Sequence, residues 1–502
     1  MDAYIVPLTV LVVSILLTFT SSKIRGVLGN ALRALGYGLL IYYAVALWNI
    51  GAIDDFSLVL SIASAVAGLI VGFYADTYAS LFGYDEMLPT QINLFATLLV
   101  VGFASPNILV LASAWTLAEI AAYLLIRTGE EHSYEGSLTS SKGFIFTSTL
   151  TTEISVFTAI VVSIYIAATT LAPSNLLKSF GELSSNPMPI SSLIIPLLLL
   201  GFVTKMALVP LHFWLPGAHS SAPAPASALL SGVATQLGFY GLYRILSMFQ
   251  LGKQLESVAL LIATMGLASV FYAALQISSK RDGKILLAYS TIATNGFTAI
   301  IFAIALTRSE FTPLFLLAML MHMAYKTTLF AEMGLVEYVY GTRYIHRLAQ
   351  VAKSLRVSSI GGVLAVFSLL GVPGTLGFSV KALSIFAVIT GMLSEGLNPL
   401  LAEALIGTVA YILSSIMVGL RFLRIYSPSA QPVLPPEKTV DTVAQLPVAV
   451  LGLTNLFLGL TQAVYSLDPL LLVLTAASPL TVLVALITWS YLATGRVMKV
   501  VH

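Results

Sequence analysis

Apolar runs of about 20 residues, the length a helix needs to cross the hydrocarbon core of a bilayer, recur along the whole chain between short polar stretches. The pattern predicts fifteen spans, near 4–21, 30–49, 56–75, 91–105, 107–127, 144–170, 190–213, 224–250, 256–276, 284–306, 311–336, 358–393, 403–425, 443–464 and 468–494. The fourth is short. The first run has no positive segment before it and no small-residue cleavage site, so it reads as a retained helix rather than a signal peptide. The longest polar interruptions, about 76–90, 128–143, 337–357 and the Pro-rich 427–442, are loop-sized. The expected fold is an all-α polytopic membrane protein of about 14–15 transmembrane helices.

Composition sharpens this picture. Of 502 residues 58% are hydrophobic and 9% charged, against about 25% charged in an ordinary soluble protein; a soluble enzyme is excluded. The formal net charge of +2 points to neither nucleic acid nor an acidic substrate. Cysteine is absent, which removes disulfides, iron–sulfur clusters and thiolate metal sites. The six histidines form no spaced metal motif, and no phosphate-cradling glycine loop occurs, so no cofactor and no metal are expected. Most of the 24 basic residues fall in odd-numbered loops and the C-terminal tail. Because cytoplasmic loops keep the positive charges, the N-terminus is expected outside and the C-terminus in the cytoplasm. Arg496 and Lys499 fall on the positive side only if the fifteenth run crosses.

Three lysines lie inside apolar runs: Lys205, Lys326 and Lys381. An ammonium at mid-bilayer costs about 2.5–3.5 kcal/mol even on the lenient insertion scale, so such groups face protein or water and are functional candidates. The carboxylates Glu119, Glu153 and Glu332 and the imidazole of His322 join them; for Glu153 and Glu332, snorkelling from a helix end is the competing reading. Pro210 and Pro216 follow Lys205, and Gly371, Pro373, Gly374 and Gly377 precede Lys381, so each of these two spans should be broken near its lysine. They are spans 7 and 12, and hold the same place in two consecutive five-helix units. Units with an odd number of crossings insert in opposite orientations, and paired broken helices in inverted repeats mark an ion pathway. His322 and Lys326, spaced i, i+4, share a helix face. A histidine, which changes charge near neutrality, beside a lysine kept from water makes a proton relay.

The stretch from Lys205 through HFWLPGAHSSAPAPASALLSGVATQLGFYGLYR to Arg244, with RDGKILLAYSTIATNG (281–296), HMAYKTTLF and GVPGTLGFSVK, resembles the antiporter-like subunits shared by respiratory complex I, Mrp-type Na⁺/H⁺ antiporters (the D-type subunit) and membrane-bound hydrogenases. The resemblance covers roughly residues 90–430. It implies two inverted five-helix repeats with helices 7 and 12 broken, divided as N-terminal helices 1–90, repeats 91–250 and 256–425, and C-terminal helices 443–502. It also implies a role in moving protons or Na⁺ across the membrane, with redox chemistry left to other subunits. Lys205 matches the family's central lysine, Lys381 the lysine after the second break, and His322 and Lys326 the connecting pair. Two positions depart from the pattern. Gln236 stands where most members have a lysine, and Thr116 where they have a glutamate, leaving Glu119 or Glu153 to supply the carboxylate beside Lys205.

The mechanism expected from these parts is a lysine whose proton is passed, by movement of a nearby carboxylate or its charge, through water and the His322–Lys326 relay toward Lys381. Lysines suit protons; a Na⁺ path needs oxygen ligands. The expected partners are other membrane subunits of a complex I-like, hydrogenase or antiporter assembly, the prokaryotic plasma membrane lipid, and the transported ion, with no nucleic acid. Because a glutamine cannot exchange net charge, a non-pumping structural member of such a complex is the alternative, and a stand-alone secondary transporter a further one.

Overall fold

In the computed structural model, which describes residues 2–24, 26–132, 139–169, 178–428 and 434–465, each of the first fourteen apolar runs coincides with a helix or a broken helix. The fifteenth, 468–494, lies outside the described residues. The helices are α1 Asp2–Ser21, α2 Val27–Asn49, α3 Asp55–Phe82, α4 Met87–Phe103, α5 Ile108–His132, α6 Thr139–Phe144, α7 Leu150–Thr169, α8 Phe180–Ser185, α9 Ile195–Lys205, α10 Trp214–Ser221, α11 Ala224–Leu229, α12 Thr235–Ser247, α13 Gln254–Ser279, α14 Gly283–Thr307, α15 Thr312–Tyr340, α16 Val351–Ser354, α17 Ser358–Leu370, α18 Leu376–Glu395, α19 Pro399–Tyr426 and α20 Thr442–Tyr465. Among the described residues, 11 helices are long and apolar enough to span a bilayer. The short fourth run is α4, with 17 residues. The protein is an all-α polytopic membrane protein.

The ends of these helices are set by local chemistry. Asp54, Asp282 and Asn398 accept the first free backbone amides of α3, α14 and α19, from Ser57 at 2.9 Å, Ile285 at 3.1 Å and Leu401 at 2.9 Å, as side-chain oxygens at N-caps do. Gly371 closes α17 with φ 81°, a left-handed conformation open to glycine without steric cost.

Two compact units divide the chain, Met1–Ala259 and Leu260–His502, with the boundary inside α13. In the first, α1 packs on α2, α3 and α5 flank α4, and α7 lies along α9. Two-residue strands, Met188–Pro189 and Phe249–Gln250, pair in parallel. In the second, α14 packs on α15 and α19, and α15 on α17, α18 and α20. Both α14 and α15 are 89% buried over their most apolar stretch, so the polar side chains they carry face protein. Helices α17 and α20 approach at backbone distance. A Cβ on Gly361 would lie 2.2 Å from the Val448 carbonyl oxygen, and one on Gly452 2.1 Å from the Gly361 Cα. Such small-residue contacts are the common packing device of membrane helices.

Two arginines inside the predicted runs are structural. Arg33 sits within α2, fully buried, and makes two bonds to Asp76 of α3 at 2.6 and 3.0 Å. At the other end of α3, Asp54 receives two hydrogen bonds from Arg244 of α12, one at 2.8 Å, and Arg244 also donates to the Ser57 hydroxyl at 2.6 Å. Burial pushes the Asp54 carboxyl up, but the hydrogen bonds and charge of Arg244 together with Ser57 outweigh it and hold the carboxyl below its ordinary range.

Candidate functional site

In the first unit α9 ends at Lys205, as the prolines downstream require. The break would strand carbonyls at membrane depth, and local donors satisfy them. Leu208 N donates to Val203 O at 3.2 Å, Ala207 N to Thr204 O at 2.9 Å, and the Trp214 indole N–H to the same Thr204 oxygen at 2.9 Å. Lys205 thus sits in the last turn of a half-helix, where the partial negative charge of the helix C-terminus favours a cation.

Its ammonium pairs directly with the Glu119 carboxylate of α5, and the two side chains are 3% and 1% exposed. The second Glu119 oxygen accepts from the hydroxyls of Ser148 and Thr149, each at 3.2 Å. Both hydroxyls lie in a π-helical segment, Ile145–Thr149, between α6 and α7; the wider turn of a π segment re-aims side chains, often at functional positions. The rings of Phe144 and Trp214 stand 5.4 and 5.8 Å from the Lys205 nitrogen.

Glu153 of α7 does not reach Lys205. It accepts from the Thr116 hydroxyl, at 2.9 and 3.1 Å to its two oxygens, and borders an open cavity of about 450 Å³ shared with Leu117, Val156 and Phe157. Of the two carboxylates weighed from the sequence, Glu119 is therefore the one at the lysine. Glu153 thus stands against Thr116 rather than against the lysine. Gln236 of α12 is fully buried and donates to Thr235 at 3.2 Å. Two residues on, Gly238 lets α12 lie against the lysine, since a Cβ there would be 3.3 Å from Lys205 Cβ.

In the second unit His322 and Lys326 are both fully buried in α15. The Lys326 ammonium donates to the Leu287 carbonyl at 3.0 Å and the Ser290 hydroxyl at 2.8 Å, both in α14. The imidazole of His322 packs 5.9 Å from the Tyr325 ring. Lys381 lies in α18, beyond the break at Gly371, and reaches back to donate to the Leu369 carbonyl at 2.6 Å and across to the Ser415 hydroxyl of α19 at 2.8 Å. It caps the C-terminus of the half-helix α17, the same electrostatic position that Lys205 holds on α9. Among the described residues, neither Lys326 nor Lys381 is ion-paired with a carboxylate.

Tyrosines join these two lysines, a feature the sequence did not reveal. The Tyr325 hydroxyl lies 2.5 Å from Thr294 and 3.5 Å from the Tyr411 hydroxyl, and the Tyr411 ring lies 5.4 Å from the Lys381 nitrogen. A tyrosine among 22 carries no signal of its own in sequence; its scarcity-free background hides it.

Residues 105–407 match the family described as NADH:quinone oxidoreductase/Mrp antiporter, transmembrane. Over 235 residues the chain is 33% identical to a hydrogenase-4 component F homolog of Methylacidiphilum infernorum, covering 47% of each protein. It is 28% identical to NADH-quinone oxidoreductase subunit N of Desulforudis audaxviator over 54% of this chain and 55% of that one. It thus spans about half the length of the curated relatives it matches. Its fold is that of a chain in the Mrp complex from Dietzia sp., with a TM-score of 0.71 at 17% identity over 97% of this chain and 98% of that one. A chain of the membrane-bound sulfane sulfur reductase, an archaeal respiratory membrane complex, matches with a TM-score of 0.67 at 19% identity over 89% and 75%. With buried lysines at the C-terminal ends of two half-helices and well over half its length matched, the chain belongs to the NADH:quinone oxidoreductase/Mrp antiporter transmembrane family.

Proposed function

We propose that this chain is a proton-translocating, antiporter-like subunit of a multisubunit membrane assembly of the complex I, hydrogenase or Mrp type. The observation that carries the proposal is the Lys205–Glu119 ion pair at the end of a broken helix, out of contact with solvent. Two opposite charges about 4 Å apart attract by about 4 kcal/mol at an effective dielectric of 20, roughly a thousandfold in an equilibrium constant. Pairing and unpairing these two charges is the electrostatic switch of this station. Glu153, with Thr116, bears on the same carboxylate from α7. Gln236, fully buried on the helix that lies against Lys205, has an amide that can hydrogen-bond water but cannot exchange net charge.

In the second unit Lys326 and Lys381 are held by neutral oxygens, so each can give up its proton without stranding a carboxylate. His322 serves as the exchanging neighbour of Lys326, and the Tyr325–Tyr411 contact carries protons between the two lysines. An ammonium repels Na⁺, which favours H⁺ as the ion moved at these stations. The proposed functional division is residues 1–90, a first repeat 91–250, a second repeat 256–425, and a C-terminal part 443–502. The N-terminus lies outside and the positively charged loops face the cytoplasm of a prokaryotic cell.

A second reading, a scaffold subunit that does not pump, is favoured by Gln236. Replacement of Lys205 by Met in the assembled complex separates the two. A pumping subunit loses ion flux while assembly persists; a scaffold shows unchanged flux.

A further inference from the structure

Glu332 is a buried carboxylate that the path above does not use. It lies in α15, 1% exposed, six residues after Lys326 and so about 9 Å further along the axis. Its Oε1 accepts from the Tyr426 hydroxyl of α19 at 3.3 Å and from the Ser359 hydroxyl of α17 at 3.5 Å. Its Oε2 and the Ser358 hydroxyl are buried side by side, near enough for the hydroxyl to favour the carboxylate yet without a well-formed hydrogen bond at either atom. No ion pair among the described residues includes Glu332. A carboxyl serving only as structural glue would have both oxygens satisfied, because a half-satisfied polar network inside protein is costly. Ionisable groups kept at membrane depth despite that cost belong to proton and ion pathways.

The surroundings lead from this carboxyl to one membrane face. Ser358 and Ser359 open α17, and the amides of Val357 and Ser358 are held by Gln445 Oε1 at 3.0 and 3.3 Å. Tyr340, at the end of α15 and close enough to Glu332 to sense its charge, donates to Ser354 of α16 at 3.2 Å. Both steps end at the loop 341–357, which carries Arg343, Arg347, Lys353 and Arg356. Close approach of α17 to the carboxyl depends on Gly362, where a Cβ would lie 2.0 Å from the Tyr426 hydroxyl oxygen and 3.2 Å from Glu332 Cγ.

We propose that Glu332 is the proton-exchange site of the second unit toward the loop 341–357, with the hydroxyls of Ser358, Ser359 and Tyr426 passing the proton between carboxyl and water. This rests on the translocation reading above. One O–H bond breaks at the hydronium or water donor and one forms at the carboxylate; the proton then passes through water to the neutral amine of Lys326, and no electron moves.

The test uses the whole membrane assembly reconstituted in proteoliposomes, with Glu332→Gln, Glu332→Asp and Lys205→Met variants. Glu332→Gln is expected to lower proton flux roughly 10²-fold, the scale of a lost acid–base group, and Glu332→Asp to retain flux within a few-fold. In infrared difference spectra taken across a pH step, a carboxyl carbonyl band of the wild type disappears in Glu332→Gln. If the Gln variant fails to assemble, the Asp variant decides: a displaced carboxyl band supports the assignment and an unchanged one overturns it. Wild-type flux and an unchanged spectrum in Glu332→Gln, with flux abolished in Lys205→Met, overturns the role of Glu332 and leaves the translocation reading standing. Flux unaffected by Lys205→Met overturns that reading, and this one with it.

Discussion

Neutralising Glu119 is expected to destabilise the protein, and neutralising its partner at the same time to restore most of the loss. In Glu119→Gln the Lys205 ammonium stays 3% exposed with its paired carboxylate gone. Removing one partner of a buried pair costs about 3–5 kcal/mol, whereas replacing both is close to neutral. Lys205→Met should cost less than Glu119→Gln, because the orphaned Glu119 keeps hydrogen bonds from Ser148 and Thr149. The double variant should then lie above the sum of the singles by about 2 kcal/mol or more, within the range measured for residues in direct contact. Denaturant unfolding of the solubilised assembly, followed by tryptophan fluorescence, reads this directly, since Trp214 lies 5.8 Å from the Lys205 nitrogen. Strict additivity, or equal cost of the two single variants, would refute the pairing and the asymmetry derived from it.

Tyr411→Phe removes the hydroxyl facing Tyr325 while keeping the ring stacked 4.2 Å on Phe297; proton flux should fall several-fold with assembly intact, and unchanged flux would sink the tyrosine bridge. Gly452→Val drives side-chain atoms into the α17 backbone, where a first carbon already meets Gly361 Cα at 2.1 Å. Overpacking of this kind costs about 1–3 kcal/mol or more, and the variant should show a lowered unfolding midpoint, while Gly452→Ala should show a smaller loss. Because Asp54 is held below its ordinary range in the folded state, its bond to Arg244 stabilises the fold above the unfolded carboxylate pKa of about 3.9 and is lost as pH falls through the folded value. Asp54→Asn should therefore lower the neutral-pH midpoint and flatten the acid limb of stability against pH; an unaltered acid limb would contradict the assignment.

Much of the site was legible in the sequence because the signals there are local. A lysine inside an apolar run is conspicuous where only 9% of residues are charged, and proline and glycine mark a helix break without reference to anything distant. Partners were less legible. Whether Glu119 or Glu153 meets Lys205 depends on the π segment at Ile145–Thr149, which turns Ser148 and Thr149 toward Glu119 and has no periodicity signature strong enough to read. The partner of Arg33 was equally hidden: the arginine lies inside the run 30–49, and Asp76 of α3, distant in sequence, balances its charge. Glu332 was noticed as a buried carboxylate, but its hydroxyl neighbours come from α17 and α19, distant in sequence and brought together only by packing.

The central claim is that protons move through the buried lysines of this chain, and the most direct measurement is proton flux in proteoliposomes containing the assembled complex, wild type against Lys205→Met. The account predicts an assembled Lys205→Met complex whose flux is reduced to background; an assembled complex with wild-type flux would contradict it.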